Sequence, residues 1–188
     1  RKEIAQKVKK GDEVLVMFAG VGPYPIVIAK NSQAKHVYSN EINREANKYA
    51  EMNIEMNKLK GKVSLLPGDI KRITKKIIVN KKISNLSVNS KRASYDERAH
   101  PVPKQFDVIV MPRPQLKDSF LKKAFSLSKK GTVVFYYDFC KMDEKQKIID
   151  KIKSEAKKCR KKIKILKVKQ AGEIAPYKIR VRVDFKVL

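Results

Sequence analysis

The stretch Val16–Lys30, VMFAGVGPYPIVIAK, decides how the rest of the chain is read. An apolar run from Val14 to Phe18 ends at Gly20, and Gly22 follows two residues later. Ile26 to Ala29 then continue as a helix-like apolar segment. A short buried strand, a tight turn and a helix are predicted. The chain has only 7 Gly in 188 residues, so the pair asks for an explanation. Glycine lets a backbone turn sharply and approach a ligand that a side chain would hold away. The helix N-terminus beyond it offers free N–H groups.

Working outward, the same unit recurs. His36 to Ser39 is a second short strand, closed by Asn40 and Glu41. Asn43 is placed to cap a helix running to about Asn57. Lys62 to Leu66 is a third strand, ended by Pro-Gly-Asp, and Ile70 to about Val79 is helical. Residues 80–103 show no sustained period and are rich in Ser, Asn and Lys, which predicts an insertion or lid loop. Phe106 to Met111, FDVIVM, is a near-continuous apolar strand stopped by Pro-Arg-Pro. A helix over Leu116 to Leu127, a strand over Thr132 to Tyr137, and a basic helix carrying Ile148, Ile152, Ala156 and Cys159 follow. Lys162 to Lys169 is a strand. From Tyr177 on, Ile179, Val181, Val183, Phe185 and Val187 alternate with Lys178, Arg180, Arg182, Asp184 and Lys186. That period of two predicts a last strand with one buried face and one wet, mostly cationic face. Five strand–helix units and then two strands predict an α/β, doubly wound parallel sheet closed by a C-terminal antiparallel hairpin, in a single domain over 1–188.

Charge sets the class of partner. The chain carries 45 Lys and Arg against 19 Asp and Glu, a net +26, which suits a polyanion such as RNA. Lys157, Lys158, Arg160 and Lys161 crowd one helix end, and Arg180 and Arg182 are expected on the wet face of the last strand. With Arg113, these are the RNA-binding candidates. The 2 Cys have no metal-ligand spacing, so no metal site is expected. No apolar run reaches membrane-spanning length and the chain opens without a signal-like segment, so a cytoplasmic setting and no membrane partner are expected. It also opens without Met, which suggests a fragment or a processed chain.

In such a sheet, ligands bind beyond the carboxyl ends of the strands. Phe18, Ala19, Gly20 and Gly22 fall there after the first strand. Glu41 and Ile42 follow the second strand, about twenty residues on, where an acid accepts from ribose hydroxyls. Asp69 and Ile70 follow the third, placed for an adenine amino group and ring, and Met111 ends the fourth. The set suits S-adenosylmethionine. The turn lacks the third glycine of a dinucleotide fingerprint, which counts against a nicotinamide cofactor.

VMFAGVGPY, YSNEIN and MNIEMNKL together resemble the archaeal and eukaryotic tRNA (guanine-N1)-methyltransferase family, and IAPYKIRVRVDFKV is similar to its closing hairpin. The resemblance spans all but the 80–103 segment. It implies a seven-stranded class I methyltransferase sheet (Rossmann-like), S-adenosylmethionine and tRNA, methylation of the guanine just 3′ of the anticodon, and a monomer. It also implies that the family's separate N-terminal RNA-binding domains lie outside this chain. A sister branch transfers an aminocarboxypropyl group in wyosine-base synthesis, and a catalytically silent RNA-binding module is the third alternative. Two departures stand out. The family's Asp before MFAG is Val16, and its Asn-Leu-Pro segment reads Met111-Pro112-Arg113-Pro114. Arg113 and Asp118 are the catalytic candidates in its place. Asp96, Glu97 and His100 are further candidates for a base.

Overall fold

The computed structural model describes residues 1–79 and 100–188. Most of the predicted 80–103 insertion, including Asp96 and Glu97, lies outside the described residues. The central strand is β1 (Glu13–Met17), flanked by β2 (His36–Glu41) and β4 (Phe106–Met111). With β3 (Val63–Pro67), β5 (Ser128–Lys141), β6 (Ile163–Ala175) and β7 (Lys178–Val187), these form a seven-stranded sheet of order β3-β2-β1-β4-β5-β7-β6. β1 to β5 pair in parallel, and β7 enters antiparallel between β5 and β6. The predicted α/β sheet and its closing hairpin are both present.

The helices are α1 (Lys2–Ala5), α2 (Pro23–Asn31), α3 (Arg44–Met56), α4 (Ile70–Ile78), α5 (Leu121–Ser126) and α6 (Lys145–Lys158). Strand periodicity sorts the core into two layers. Val14 and Val16 pack with Ile28, Ala29 and Ile54 under α1, α2 and α3. Leu15 and Met17 pack with Ile73, Phe125 and Ile152 under α4, α5 and α6. Val16 is therefore a core residue, 0 % exposed. An ionised acid there would need a buried partner.

Several boundaries differ from expectation, each for a tertiary reason. α5 begins at Leu121 rather than Leu116, because the backbone carbonyls of Leu116 and Asp118 accept from the Arg113 guanidinium instead of continuing a helix. β5 runs on to Lys141 because β7 pairs with it as far as Lys178. β6 runs to Ala175 as the partner of β7 and forms the sheet edge. Its lysines and three register shifts are the usual protection of an edge against pairing with another chain.

The last strand's wet face needs correction. Arg182 is 4 % exposed and Asp184 is 0 %. The unpredicted α1 and the turn after it cover them: Glu3 receives Arg182 at 2.9 Å, and Lys7 reaches Asp184 at 2.8 Å. Arg182 also pairs with Asp184 at 2.7 Å. Its donors are engaged inside the protein, so it is not available to RNA. Among the described residues, no helix is long and apolar enough to cross a membrane.

At the start of β2, the buried His36 ring meets Ser64 Oγ at 2.8 Å and stacks on His100 at 4.4 Å. Tyr38 donates to the Pro101 carbonyl at 2.8 Å, so this corner anchors the segment that leads into β4. Burial, helped by the charges of His100 and Lys35, lowers the His36 pKa from 6.5 to about 4. The unfolded chain thus takes up a proton before the folded one does. Stability from this group is complete above pH 6.5 and is lost as pH falls towards 4. Urea melts should show that decline, and His36→Gln should flatten it. An unchanged slope would place the acid sensitivity elsewhere.

Candidate functional site

The carboxyl ends of β1, β2 and β3 meet in one laced edge. The turn after β1 has Phe18 at φ 60°, Gly20 at 57° and Gly22 at 87°. Gly22 is the left-handed N-cap of α2, and its missing side chain would otherwise sit 3.6 Å from Ala50 Cβ. The Ala19 N–H donates to the Asn40 carbonyl at 2.9 Å, and the Gly22 N–H to the Ala19 carbonyl at 3.1 Å. The Gly20 N–H donates to Glu41 Oε2 at 2.8 Å, while Glu41 Oε1 accepts from the Asn43 N–H at 2.8 Å. Glu41 therefore ties the turn after β1 to the turn before α3. A carboxylate oxygen accepts more than one bond, so neither contact closes Glu41 to a diol.

Asn40, 2 % exposed, does the same one strand over. Its Nδ2 donates to the Leu66 carbonyl at 2.7 Å and the Gly68 carbonyl at 2.9 Å. Asp69 caps α4, accepting from the Lys71 N–H at 2.8 Å. Asn43 caps α3 as the sequence predicts.

Two clefts flank this lacing. The larger, of about 600 Å³, is lined by Ile42, Pro67, Gly68, Asp69, Arg72, Ile73 and Lys76. Ile42 is 65 % exposed there and offers a flat apolar surface. The smaller, of about 280 Å³, is lined by Phe18, Ala19, Gly20, Val21, Pro23, Tyr24, Pro112 and Arg180. Phe18 is held edge-on against Phe120, with ring centres 5.0 Å apart.

The TRM5/TYW2 methyltransferase domain model matches residues 1–95. The chain belongs to this family. It is 31 % identical to "tRNA (guanine(37)-N(1))/4-demethylwyosine(37)-methyltransferase Taw22" of Nanoarchaeum equitans, over all of this chain and 70 % of that protein. The crystal structure of Trm5b from Pyrococcus abyssi superimposes with a TM-score of 0.74 at 27 % identity, covering 98 % of this chain and 47 % of that one. Methanocaldococcus jannaschii Trm5 in complex with adenosine gives a TM-score of 0.70 at 25 % identity, covering 98 % of this chain and 46 % of that one. The chain thus spans about half the length of the Trm5 relatives it matches.

Within this TRM5/TYW2 domain, Phe18, Ala19, Gly20, Ile42 and Asp69 line the clefts, and Gly22 and Glu41 shape the turns between them. Two of the expected contacts are displaced. The Ile70 side chain, 3 % exposed, packs in the core beside Ile73, and Met111 is 0 % exposed. Ile42 and Pro112 present the surface instead. The cause is strand and helix phase, which turns Ile70 and Met111 inward.

The catalytic candidates are corrected further. Arg113 is 1 % exposed and pairs with Asp138, whose other oxygen accepts from Tyr136 and Lys151 at 2.9 Å. Burial pushes the Asp138 carboxyl up, but Lys151 and Arg113 outweigh it and hold the group below its usual range. Arg113 thus shapes the loop leading to Phe120 and does not reach a substrate or phosphate. Asp118 accepts from the Phe120 N–H at 2.8 Å and pairs with Lys71 at 2.8 Å. Burial raises its pKa, while Lys71 and that amide bring it below the ordinary value, which makes it a poor proton acceptor. It lines neither cleft.

Lys157, Lys158, Arg160 and Lys161 gather where α6 ends. That end faces the start of β5, since Lys161 Nζ lies 3.4 Å from the Ser128 carbonyl. It is the sheet edge opposite the clefts. Lys158 also pairs with Glu155 at 2.8 Å. Among the proposed RNA contacts, only Arg180 stands at the cleft edge.

Asn40 was not singled out from sequence, although a polar residue at the end of an apolar strand is a usable signal. Asn40→Ala should lower the unfolding free energy by about 1–3 kcal/mol, because two carbonyls lose their donor. An unaltered urea midpoint would show that the lacing carries no stability.

Proposed function

We propose that this chain is the S-adenosylmethionine-binding catalytic domain of a tRNA methyltransferase that modifies a guanine beside the anticodon. The observation that carries this is the continuous edge from Asp69 through Glu41 and Gly20 to Pro112. It offers a ring surface, a diol acceptor and a shallow tail cleft in the order an adenosyl amino acid requires. The relative crystallised with adenosine supports the ligand, and the relatives' names support tRNA. Bound there, the adenine would lie on Ile42 beside Asp69, and the ribose would meet Glu41. The amino-acid tail would pass Gly20 towards Pro112. S-adenosylmethionine supplies an activated methyl group when bound. The chain's own part is to hold the ligand's two ends apart and to present the transferred group between Phe18 and Pro112.

A second reading, aminocarboxypropyl transfer, is favoured by one observation. The end of β4 offers no side-chain amide for a guanine, because Pro112 stands there and its carbonyl accepts from Arg180 at 3.1 Å. Product mass separates the two, since a methyl adds far less than an aminocarboxypropyl group. We expect the methyl increment on tRNA treated with the full-length protein; the larger increment would overturn the first reading in favour of the second.

Calorimetric titration should show S-adenosylmethionine binding. Glu41→Ala should weaken it by about 1–3 kcal/mol, as a half-buried acceptor is lost. Folded protein that binds no adenosyl ligand would sink both transferase readings and leave a binding module. Affinity for tRNA should fall steeply with salt if the +26 charge meets phosphate. A flat salt response would assign the lysines to solvation.

A further inference from the structure

We propose that Arg180 is the anion anchor of the smaller cleft, and that its ligand is the carboxylate of the adenosyl ligand's amino-acid tail. This rests on the ligand class proposed above and assigns the residue that grips its charged end.

The glycine turn cannot do this alone. Helix N-termini usually hold anions through free backbone N–H groups. Here α2 begins Pro23-Tyr24-Pro25, and both prolines lack an N–H. The amides of Ala19, Gly20 and Gly22 already donate within the protein, to the Asn40 carbonyl, Glu41 and the Ala19 carbonyl. The amides of Val21 and Tyr24 remain at the cleft but offer only partial charge, so a full positive charge has to come from a side chain.

Arg180 is placed to provide it. It lines the cleft with Phe18, Gly20, Tyr24 and Pro112. Its guanidinium lies 4.6 Å from the Tyr137 ring centre and 5.7 Å from that of Phe139. Stacking on two rings holds the fork in place and lowers the local dielectric, which strengthens attraction to an anion. One nitrogen donates to the Pro112 carbonyl at 3.1 Å, but the buried Nε has no acceptor. A buried donor without an acceptor is costly, and it is a mark of a group whose partner arrives with a ligand.

The contrast with the other inward-facing cations lies in the counter-charge, since Arg113 Nε is also buried without an acceptor. Arg113 has Asp138, Arg182 has Asp184 and Glu3, Lys7 has Asp184, and Lys151 has Asp138. Among the described residues, no carboxylate pairs with Arg180. The cleft is open and its lining mostly apolar, and an amino-acid tail extending past Gly20 would run along it to Arg180. Holding that tail also decides which carbon on the sulfonium faces the acceptor.

The test is calorimetric, on the wild type and on Arg180→Gln, with S-adenosylmethionine and its decarboxylated form. Arg180→Gln should lose roughly 10- to 100-fold for S-adenosylmethionine, the range for a charge-assisted hydrogen bond, and nothing for the decarboxylated ligand. Unchanged binding of the decarboxylated form also shows that the variant is folded. Arg180→Lys should retain part of the preference for the carboxylate. Equal loss of both ligands would mean a structural role and overturn the proposal, as would unchanged affinity for S-adenosylmethionine. If that unchanged affinity came with weaker tRNA binding and a shallower salt dependence, the arginine would be meeting phosphate. A wild type that binds neither form would bring down the ligand class as well, whereas a binding wild type with an indifferent variant removes only the anchor.

Discussion

Glu41 takes the Gly20 N–H on one carboxylate oxygen and the Asn43 N–H on the other. Two turns from neighbouring parallel strands are thereby locked to each other. Asn40 repeats this between β2 and the Gly68 turn. The loops at a parallel sheet's carboxyl edge have no ladder partners of their own, so their shape must come from such side chains. The clefts exist because these bonds keep the turns apart while the strands beneath run close together. On the proposed reading, binding and scaffold share the same atoms at this edge.

The other half of the sheet is organised by buried charge. Arg113 with Asp138, and Arg182 with Asp184 and Glu3, form two satisfied clusters around β5 and β7. A buried ion is tolerated with a close counter-charge and hydrogen bonds to its remaining donors, and both clusters supply the counter-charge, although Arg113 Nε has no acceptor. They consume two of the arginines that a charge count would assign to RNA. The basic residues at the end of α6 stay exposed, on the edge away from the clefts. Among the described residues, cations thus serve internal pairing, edge protection on β6 and a remote basic end. Arg180 alone combines inward position, cleft exposure and a donor without a partner.

Much of the fold was legible because its signals are local. The run Phe106–Met111, the cap at Asn43 and the alternation along β7 each depend on neighbours within a few residues. The glycine pair and Glu41 were legible for the same reason, since their spacing follows from one strand–helix–strand unit. The misplaced residues fail for a common cause. Which way Ile70 and Met111 face depends on strand and helix phase against a core built from distant segments. Which arginine is wet depends on what lies above it, and the cover for Arg182 comes from α1, about 180 residues away in sequence.

The sequence by itself determined the order of five strand–helix units, the closing hairpin, the glycine turn and the acid that follows β2. Periodicity and turn chemistry are properties of short segments, and they survive without knowledge of the whole. Only the tertiary structure decided that Val16 belongs to the core, that Arg113 and Arg182 are internal, and that Arg180 faces the cleft unpaired. Pairing of charges is set by packing between elements far apart in the chain. A run of residues carries the charge, but only the fold brings its partner or leaves it without one.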